Sequence, residues 1–287
     1  MTQKRATPTV WRRRVGAQLR RWREPVMKSG AAADAMGWDA TRLSRIERGL
    51  YRVSGDEVRE LCAKLGVEDL AAVEEVAKVA EEPPGTGWWA PYTGRIAPNY
   101  LDFIELEHEA ETIRIHHQVI IPGPLQTAGY AREIISRAPT APTKRRAEML
   151  VHIRIARQAV LTREENPVQL HALVPEAALH ARFESSAIMR DQIRKLLDAS
   201  EMPNVELQVL PLTTHPSYVS NGPATLLTFR HPWLPVASVD NQLGGTHTED
   251  ATHLELLATE FDHFASVALP ADKTRDLLHE FLEGPYT

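Results

Sequence analysis

Apolar residues recur at helical spacing along the N-terminal quarter of the chain, and this pattern predicts a series of short helices. Val15, Leu19 and Trp22 lie at i, i+4 and i+7, so they form the apolar stripe of a first helix whose arginines lie mostly outside it. A second helix is predicted over about residues 29–36, with Ser29 as a possible N-cap. Its alanines are small enough to let another helix approach closely.

A third helix is predicted to follow after a tight turn. Gly37 permits a backbone with positive φ, and Asp39 occupies the position of an N-cap, where its carboxylate accepts from free backbone N–H groups. Leu43 and Ile46 lie three residues apart and form its apolar stripe. The rest of its surface carries Thr41, Arg42, Arg45 and Arg48. The pattern therefore indicates a helix, a tight turn and a second helix with a polar outer face.

Two further helices complete the predicted N-terminal bundle. Ser54 and Glu57 have the spacing of a capping box, which predicts the start of a fourth helix, and Gly66 predicts its end. The fifth helix is predicted to end at the prolines that begin at Pro83. The apolar positions of the two helices are Val58, Leu61, Cys62 and Leu65, and then Leu70, Val73, Val76 and Val79.

The segment Leu43-Ser44-Arg45-Ile46-Glu47-Arg48-Gly49, preceded by Gly37 and followed by Leu65-Gly66-Val67, resembles the Xre-type helix-turn-helix of the lambda-repressor-like family. The resemblance covers roughly residues 10–70. It implies an all-α domain that binds double-stranded DNA, with a recognition helix of about residues 40–48 in the major groove.

This resemblance assigns roles to individual side chains. Arg42 or Arg45 is the expected bidentate reader of a guanine, because an arginine guanidinium matches the O6 and N7 acceptors of that base. The predicted base-reading residues are Ala40, Thr41, Arg42 and Arg45. The predicted phosphate-contacting residues, which would set the register on the duplex, are Lys28, Ser29, Ser44, Arg48 and Arg52.

The charge distribution separates DNA binding from a plainer alternative, in which these helices form only a basic cap with solvated charges. Residues 1–54 contain 13 Lys and Arg against 4 Asp and Glu, whereas the remainder contains 20 against 34. The whole-chain net charge of −5 therefore conceals a basic N-terminal segment and an acidic remainder. A basic module joined to an acidic domain favours phosphate attraction by the former.

Length and composition indicate the class of protein. A chain of 287 residues with 43% hydrophobic and 25% charged residues is typical of a soluble globular protein of about two domains. No segment has the length and hydrophobicity of a membrane span or a signal peptide, so we expect a cytoplasmic protein. Cys62 is the single cysteine, which excludes an intramolecular disulfide and every zinc site that needs a cysteine pair.

Composition shifts predict four segments. Residues 1–9 are expected to be a flexible tail, residues 10–82 the helix-turn-helix domain, residues 83–98 a linker rich in Pro, Gly and aromatic residues, and residues 99–287 a regulatory or dimerisation domain. Trp88, Trp89 and Tyr92 in the linker are compatible with base stacking, but Arg95 is the only basic residue among them. We expect them to pack onto the second domain instead.

The second domain is predicted to have a mixed α+β fold without internal repeats. Apolar stripes at helical spacing alternate with short β-branched or alternating runs. Helices are predicted over residues 101–111, 126–137, 143–161, 177–183 and 188–197 and in two C-terminal segments, with Met149, Ile153, Ala156 and Val160 as the stripe of the third. Strands are predicted over residues 112–121, 168–174, 205–209, 224–229 and 236–240. Gly244-Gly245-Thr246 is expected to be a turn.

The second domain contains no recognised catalytic motif. His116 and His117 are adjacent, so on a strand they point to opposite faces and cannot chelate one ion together. The sequence has neither a His-Glu-x-x-His zinc motif nor a Gly-x-Ser-x-Gly nucleophile motif. We therefore expect a protein that is not an enzyme, with no catalytic residues, no metal and no cofactor.

A second resemblance covers this domain. Residues 106–114, which begin Leu106-Glu107-His108-Glu109, and the later Ile121-Pro122-Gly123-Pro124-Leu125-Gln126-Thr127 are similar to a C-terminal domain of unknown function. That domain follows this helix-turn-helix in many actinobacterial regulators. The resemblance implies a transcriptional regulator, frequently encoded beside a small partner protein.

A single helix-turn-helix domain reads only one half-site of an operator. We therefore expect a homodimer on a pseudo-palindromic operator. Two alternatives remain open. One is an interaction protein, similar in logic to a toxin–antitoxin module, whose second domain docks a small partner protein. The other is an enzyme or a small-molecule sensor in the second domain, with Trp88, Trp89 and Tyr92 lining its pocket.

Overall fold

The computed structural model describes residues 9–83, 86–138, 141–215, 222–241 and 244–284. The chain divides into two compact units: unit 1 comprises Met1–Glu105 and Arg230–Leu234, and unit 2 comprises Leu106–Phe229 and Pro235–Thr287. Unit 1 is helical and unit 2 contains a mixed sheet with helices, as the sequence predicted. Residues 1–8 of the predicted tail lie outside the described residues.

The N-terminal helices of unit 1 follow the predicted stripes. They are α1 Val10–Arg23, α2 Ser29–Ala35, α3 Ala40–Glu47, α4 Gly55–Leu65 and α5 Leu70–Glu81. Leu19, Leu43, Ile46 and Leu61 are almost completely buried, since each is at most 1% exposed. The core of the predicted bundle is therefore confirmed.

Local capping signals explain where these helices begin and end. The Asp39 side chain accepts from the backbone N–H of Arg42 over 2.8 Å, and Ser54 and Glu57 form both bonds of a capping box. Gly66 ends α4 with φ at 69°. The prediction of Ser29 as a cap is wrong: Lys28 is the N-cap of α2, its side chain makes no capping bond, and Ser29 is the first helical residue.

The predicted placement of the α1 arginines outside the apolar stripe is wrong at two positions. Arg14 and Arg23 are 3% and 6% exposed. The Arg14 guanidinium lies 4.9 Å from the centre of the Trp11 ring and 5.7 Å from that of Trp233. Its Nη2 donates to the carbonyl oxygen of Leu234 over 2.6 Å. A helical pattern alone does not indicate the burial of Arg14, because Trp233 and Leu234 are more than 200 positions away in the chain.

Unit 1 accordingly includes the short segment Arg230–Leu234. Trp233 in this segment is buried, and its ring meets that of Trp11 edge to face at a centroid distance of 5.2 Å. The Asp69 carboxylate, which caps α5, also lies 2.7 Å from the imidazole Nε2 of His231. Aromatic packing and polar contacts with α1 and α5 therefore hold this segment in unit 1.

The aromatic residues of the predicted linker lie just before and within a short 3₁₀ helix, Ala90–Tyr92, which precedes the helix α6, Pro98–Glu109. Trp88 packs edge to face against Trp89 and Tyr92 at centroid distances of 5.8 and 6.3 Å. Trp89 is buried and its Nε1 donates to the Glu105 carboxylate over 3.2 Å. The contacts described for this cluster lie within unit 1, and a buried ring such as Trp89 does not offer a face for base stacking.

Unit 2 is built on a mixed sheet whose described strands have the order β3-β2-β1-β4-β5-β6. β1, β2 and β3 are parallel, whereas β4, β5 and β6 pair antiparallel. Their bounds are Thr112–His116 for β1, Gln169–Pro175 for β2, Val205–Leu210 for β3, Ala224–Thr228 for β4, Val236–Asn241 for β5 and Gly244–Thr248 for β6.

Helices pack around this sheet. One face contacts α11 through Phe261 and Phe264, which are buried against Leu173 and Leu226. β3 is also contacted by α10 and α12. The helices of unit 2 after α6 are α7 Ala128–Ser136, α8 Lys144–Arg157, α9 Glu176–Leu179, α10 Ser186–Ser200, α11 Ala251–Val267 and α12 Ala271–Glu283.

Several predicted elements of unit 2 have different bounds. The strand predicted over residues 112–121 ends at His116, where pairing with β2 and with the first residue of β4 also ends. The predicted turn at Gly244 is the start of β6, which pairs with β5. On α8, Ala156 is exposed although the stripe predicted its burial, and Arg157 is buried instead. Arg157 is buried because its guanidinium bonds both oxygens of Glu107 over 2.6 and 2.7 Å.

Candidate DNA-binding surface

The turn between α2 and α3 has the geometry that its sequence predicted. Gly37 has φ at +65°, a conformation that costs little only for glycine. The Trp38 backbone N–H donates to the carbonyl oxygen of Ala33 over 2.8 Å, which closes the end of α2. Asp39 then caps α3. The two helices are thus joined by a short, hydrogen-bonded turn that fixes where α3 begins.

A glycine on α1 fixes the depth at which α3 packs. A Cβ at Gly16 would overlap the backbone carbonyl oxygen of Ile46 and would lie 2.7 Å from that of Glu47. Side chains at this position are therefore excluded by backbone atoms, which cannot rotate away. α1 lies directly against the C-terminal turn of α3, whereas Ala40 and Thr41 are exposed in the first turn of α3.

The predicted base-reading residues lie on the outer face of α3. Ala40 and Thr41 are exposed in its first turn, and Arg42 and Arg45 are half-buried. Both arginines lie over an aromatic ring of unit 1: the guanidinium carbon of Arg42 is 4.4 Å from the centre of the Trp38 ring, and that of Arg45 is 4.9 Å from the centre of the Tyr51 ring. Cation–π contacts of this kind favour one orientation of a guanidinium.

Each of these arginines also has a hydrogen-bond acceptor. Arg42 Nη2 donates to Glu57 Oε1, and the other carboxylate oxygen of Glu57 accepts from the Ser54 backbone N–H over 2.9 Å. Arg45 Nη1 donates to the Tyr51 hydroxyl. The capping box of α4 therefore also orients an arginine of α3.

The predicted phosphate-contacting residues differ in exposure. Lys28, Arg48 and Arg52 are exposed, whereas Ser29 and Ser44 are half-buried. Arg48 Nε donates to the Ser44 carbonyl oxygen over 3.0 Å, which places the arginine at the C-terminal end of α3. A cation is favoured at this end of a helix because the free carbonyl groups carry partial negative charge.

Arg12 joins the cationic group beside Arg52. Burial, and then the positive charge of Arg52, lower the pKa of Arg12 below its ordinary value. Two neighbouring cations of this kind attract a phosphate, since an anion between them relieves their repulsion. Sequence reasoning placed Arg12 only among the basic residues of α1, and the run of arginines from 12 to 14 was the available signal.

Comparison with protein-family models agrees with this geometry. A helix-turn-helix domain model matches residues 14–76, which include α2, α3 and the turn between them. A second model, the domain of unknown function DUF5753, matches residues 100–280, more than half of the chain. The chain belongs to the DUF5753 family.

The helix-turn-helix of this DUF5753 protein marks it as a DNA-binding regulator. Comparison with curated proteins and with solved structures gave no match. Among the described residues, no helix combines the length and the apolar character that are needed to cross a bilayer.

Sequence reasoning did not identify three residues that support the arginines of this DUF5753 protein. Trp38 lies just before Asp39, the N-cap of α3, and Tyr51 lies three residues after Arg48, the C-cap of that helix. For Glu57 the sequence indicates only a capping role. The signal for Trp38 and Tyr51 was an aromatic residue four to six positions from an arginine. Such spacing is common in sequences. It indicates a contact between the arginine and the ring only when the conformation of the turns that flank α3 is known.

Proposed function

We propose that this protein is a sequence-specific, double-stranded DNA-binding transcriptional regulator that inserts α3 into the major groove. The observation that carries the proposal is the pair of arginines on α3, each lying over an aromatic ring and hydrogen-bonded to one acceptor. A side chain that is already ordered loses less conformational entropy on binding. The arrangement therefore favours precise contacts over a diffuse attraction to DNA.

Arg42 and Arg45 are the proposed readers of base edges. A guanidinium donates in a planar fork, which matches the two acceptors of guanine in the major groove. Ala40 and Thr41 are exposed in the same first turn of α3. They are the proposed apolar or hydroxyl contacts to neighbouring bases.

The exposed cations at the ends of the two helices are the proposed phosphate contacts. Lys28 lies at the start of α2, and Arg48 and Arg52 follow α3. Ser29 and Ser44, which are half-buried, are the proposed weaker contacts. Each neutralised phosphate releases condensed counterions, so these residues are expected to supply most of the salt-dependent affinity.

Selection of bound sites from random duplex DNA, followed by footprinting, tests the proposal. Arg42→Ala and Arg45→Ala are each expected to cost about 1–3 kcal/mol of binding free energy and to relax preference at one base pair. Arg145→Ala, which removes an exposed arginine from α8 in unit 2, is the matched control and is expected to leave affinity and preference unchanged. Wild-type affinity and preference in both α3 variants would contradict the assignment.

The role proposed for unit 2 is regulatory and non-catalytic. A single α3 spans one half-site, so we expect two copies on a pseudo-palindromic operator. Light scattering that finds a single copy both free and on DNA would overturn the dimer. A small partner protein is the alternative means of control, and co-purification from the native host tests for it.

A further inference from the structure

We propose that unit 2 contains a binding site for a compact, uncharged, mostly apolar ring compound. The site is a cavity of about 150 Å³ at the carboxyl ends of the three parallel strands β1, β2 and β3. As the effector site of a DNA-binding regulator it rests on the proposed function, but occupancy of the cavity does not depend on DNA.

The cavity forms where the neighbouring strands β2 and β3 end at paired positions of the sheet. Pro175 is the last residue of β2, it pairs in register with Leu210, the last residue of β3, and Pro211 follows directly. Proline has no backbone N–H to donate to a ladder, so the sheet cannot continue there. β1 ends nearby at His116. In open sheets with parallel strands, the carboxyl edge is the usual place for a ligand.

The floor of the cavity is apolar and well packed. Leu173, Phe264 and His116 line it, and each is at most 4% exposed. The rings of His116 and Phe264 meet edge to face at a centroid distance of 5.2 Å. An aromatic ligand in the cavity can pack against the rings of His116 and Phe264.

Polar contacts fix two walls. His116 Nε2 donates to the carbonyl oxygen of Gly222 over 3.1 Å, which holds the imidazole in one orientation. Glu176 Oε2 accepts from the backbone N–H of Leu212 over 2.8 Å, so the segment that carries Pro211 and Leu212 is tied to the start of α9. The walls are therefore formed before a ligand arrives.

The cavity opens to solvent, which distinguishes it from a packing defect. Gln118, Ala177 and Leu212 contribute to the lining and are exposed, and Leu212 is 59% exposed. A ligand thus has a route to the buried floor without unfolding of the unit.

Size and electrostatics define the ligand. An apolar cavity of about 150 Å³ is large enough for benzene, which indicates a ligand of about six to ten non-hydrogen atoms. Burial lowers the pKa of both His116 and His117 to about 4, so neither imidazole offers a positive charge at neutral pH. The same loss of solvation opposes a charged ligand, and the Glu176 carboxylate at the edge further opposes an anion.

Titration calorimetry of the full-length protein tests this proposal, with phenol and benzyl alcohol as neutral probes and benzoate and benzylammonium as charged probes of similar size. The neutral probes are expected to bind saturably and to raise the melting temperature as their concentration rises. The charged probes are expected to bind at least about tenfold more weakly. Equal affinity for all four probes, or no saturable binding of the neutral ones, would overturn the proposal.

A variant locates the binding site. Ala177→Phe places a ring at the exposed edge of the cavity and is expected to weaken binding of the neutral probes at least about tenfold. Ala251→Phe, on an exposed first residue of α11 outside the lining, is the matched control and is expected to bind as the wild type does. Unchanged binding in Ala177→Phe would overturn the assignment to this cavity.

DNA affinity, measured in parallel on the same samples, separates the two proposals. Probe binding without DNA binding leaves the cavity assignment in place and contradicts the proposed function. DNA binding without probe binding contradicts the cavity assignment and leaves the proposed function in place.

Discussion

Arg23 and Glu47 form a two-point ion pair that joins the last residue of α1 to the last residue of α3. Arg23 Nε lies 2.5 Å from Glu47 Oε1, and Nη2 lies 3.1 Å from Oε2. The two side chains are only 7% and 8% exposed. A third donor, Nη1, reaches the carbonyl oxygen of Met27 over 3.0 Å. A buried pair with these bonds satisfied fixes the position of α3 relative to α1.

Removal of one partner of this pair is expected to be strongly destabilising. Arg23→Ala leaves the Glu47 carboxylate buried without its cation, which costs about 3–5 kcal/mol in the free energy of unfolding. Urea denaturation followed by circular dichroism measures this change. The matched control is Arg20→Ala on the same helix, whose pair with Glu24 is exposed on both sides and is expected to contribute little. Equal losses for the two variants would contradict the importance of burial.

Two glycines of unit 1 are expected to respond oppositely to alanine. Gly16→Ala places a methyl group against the backbone carbonyl of Ile46 and is expected to destabilise the unit by about 1–3 kcal/mol or more. Gly30→Ala adds a methyl group to helix α2 where, apart from the adjoining residues and the backbone of the helix itself, no heavy atom lies within 4 Å. It is expected to stabilise the helix by roughly 0.5–1 kcal/mol. Thermal unfolding checks both, and a stabilised Gly16→Ala would disprove the close approach of α1 to α3.

Glu105 is expected to make stability depend on pH. Burial, followed by the charge of Asp102, raises the pKa of Glu105 to about 7, while the hydrogen bond from Trp89 lowers it. Below the pKa of the unfolded state, the carboxyl is protonated in both states and does not lower the free energy of unfolding. As the pH rises from there towards 7, the unfolded state loses this proton more readily than the folded state does, so the free energy of unfolding falls. Wild-type stability is therefore expected to fall between about pH 4.5 and 7 on account of this group.

Glu105→Gln tests that pH dependence, because the amide oxygen still accepts from Trp89 Nε1 and carries no charge. At pH 8 the variant is expected to be more stable than the wild type by on the order of 1–3 kcal/mol, and at pH 4 the difference is expected to vanish. Glu68→Gln, at an exposed position in unit 1, is the control. A difference that does not change with pH would show that Glu105 does not titrate in this range.

Glu57 is expected to restrain Arg42 in the absence of DNA. Glu57→Gln keeps an oxygen that accepts from the Ser54 N–H but removes the charge that holds the Arg42 guanidinium. Affinity for non-specific DNA is expected to rise, and the salt dependence to steepen by about one phosphate equivalent. Preference at the base pair that Arg42 reads is expected to fall, because the guanidinium is no longer pre-ordered. Asp56→Asn is the matched control, since Asp56 contacts Arg59. Binding assays at several salt concentrations measure the effect, and weaker binding by Glu57→Gln would mean that the ion pair is itself needed in the complex.

The sequence was most informative where the structure depends on neighbours close in the chain. Asp39, Ser54 and Gly66 define helix ends through contacts within a few residues, and their roles were all predicted. The stripe of Leu43 and Ile46 was predicted for the same reason.

Features that depend on distant residues were not predictable in this way. β1 ends at His116, opposite Ala224, the first residue of the antiparallel strand β4, whereas β2 runs on to Pro175 beside β3. No local pattern along residues 112–121 indicates this end. Likewise, Arg157 is buried because Glu107, 50 positions earlier, neutralises it. The strand order and the cavity at the carboxyl edge arise only when three separate strands are brought into register.

The packing of Trp233 against Trp11 has a consequence for how the chain folds during synthesis. Helices α1 to α5 leave the ribosome early, but the ring that covers Trp11 and Arg14 belongs to a residue more than 200 positions later. The complete helical unit therefore cannot assemble until most of the chain has been translated. A nascent chain cut short before Trp233 contains the whole helix-turn-helix, yet lacks one of the side chains that bury its first helix.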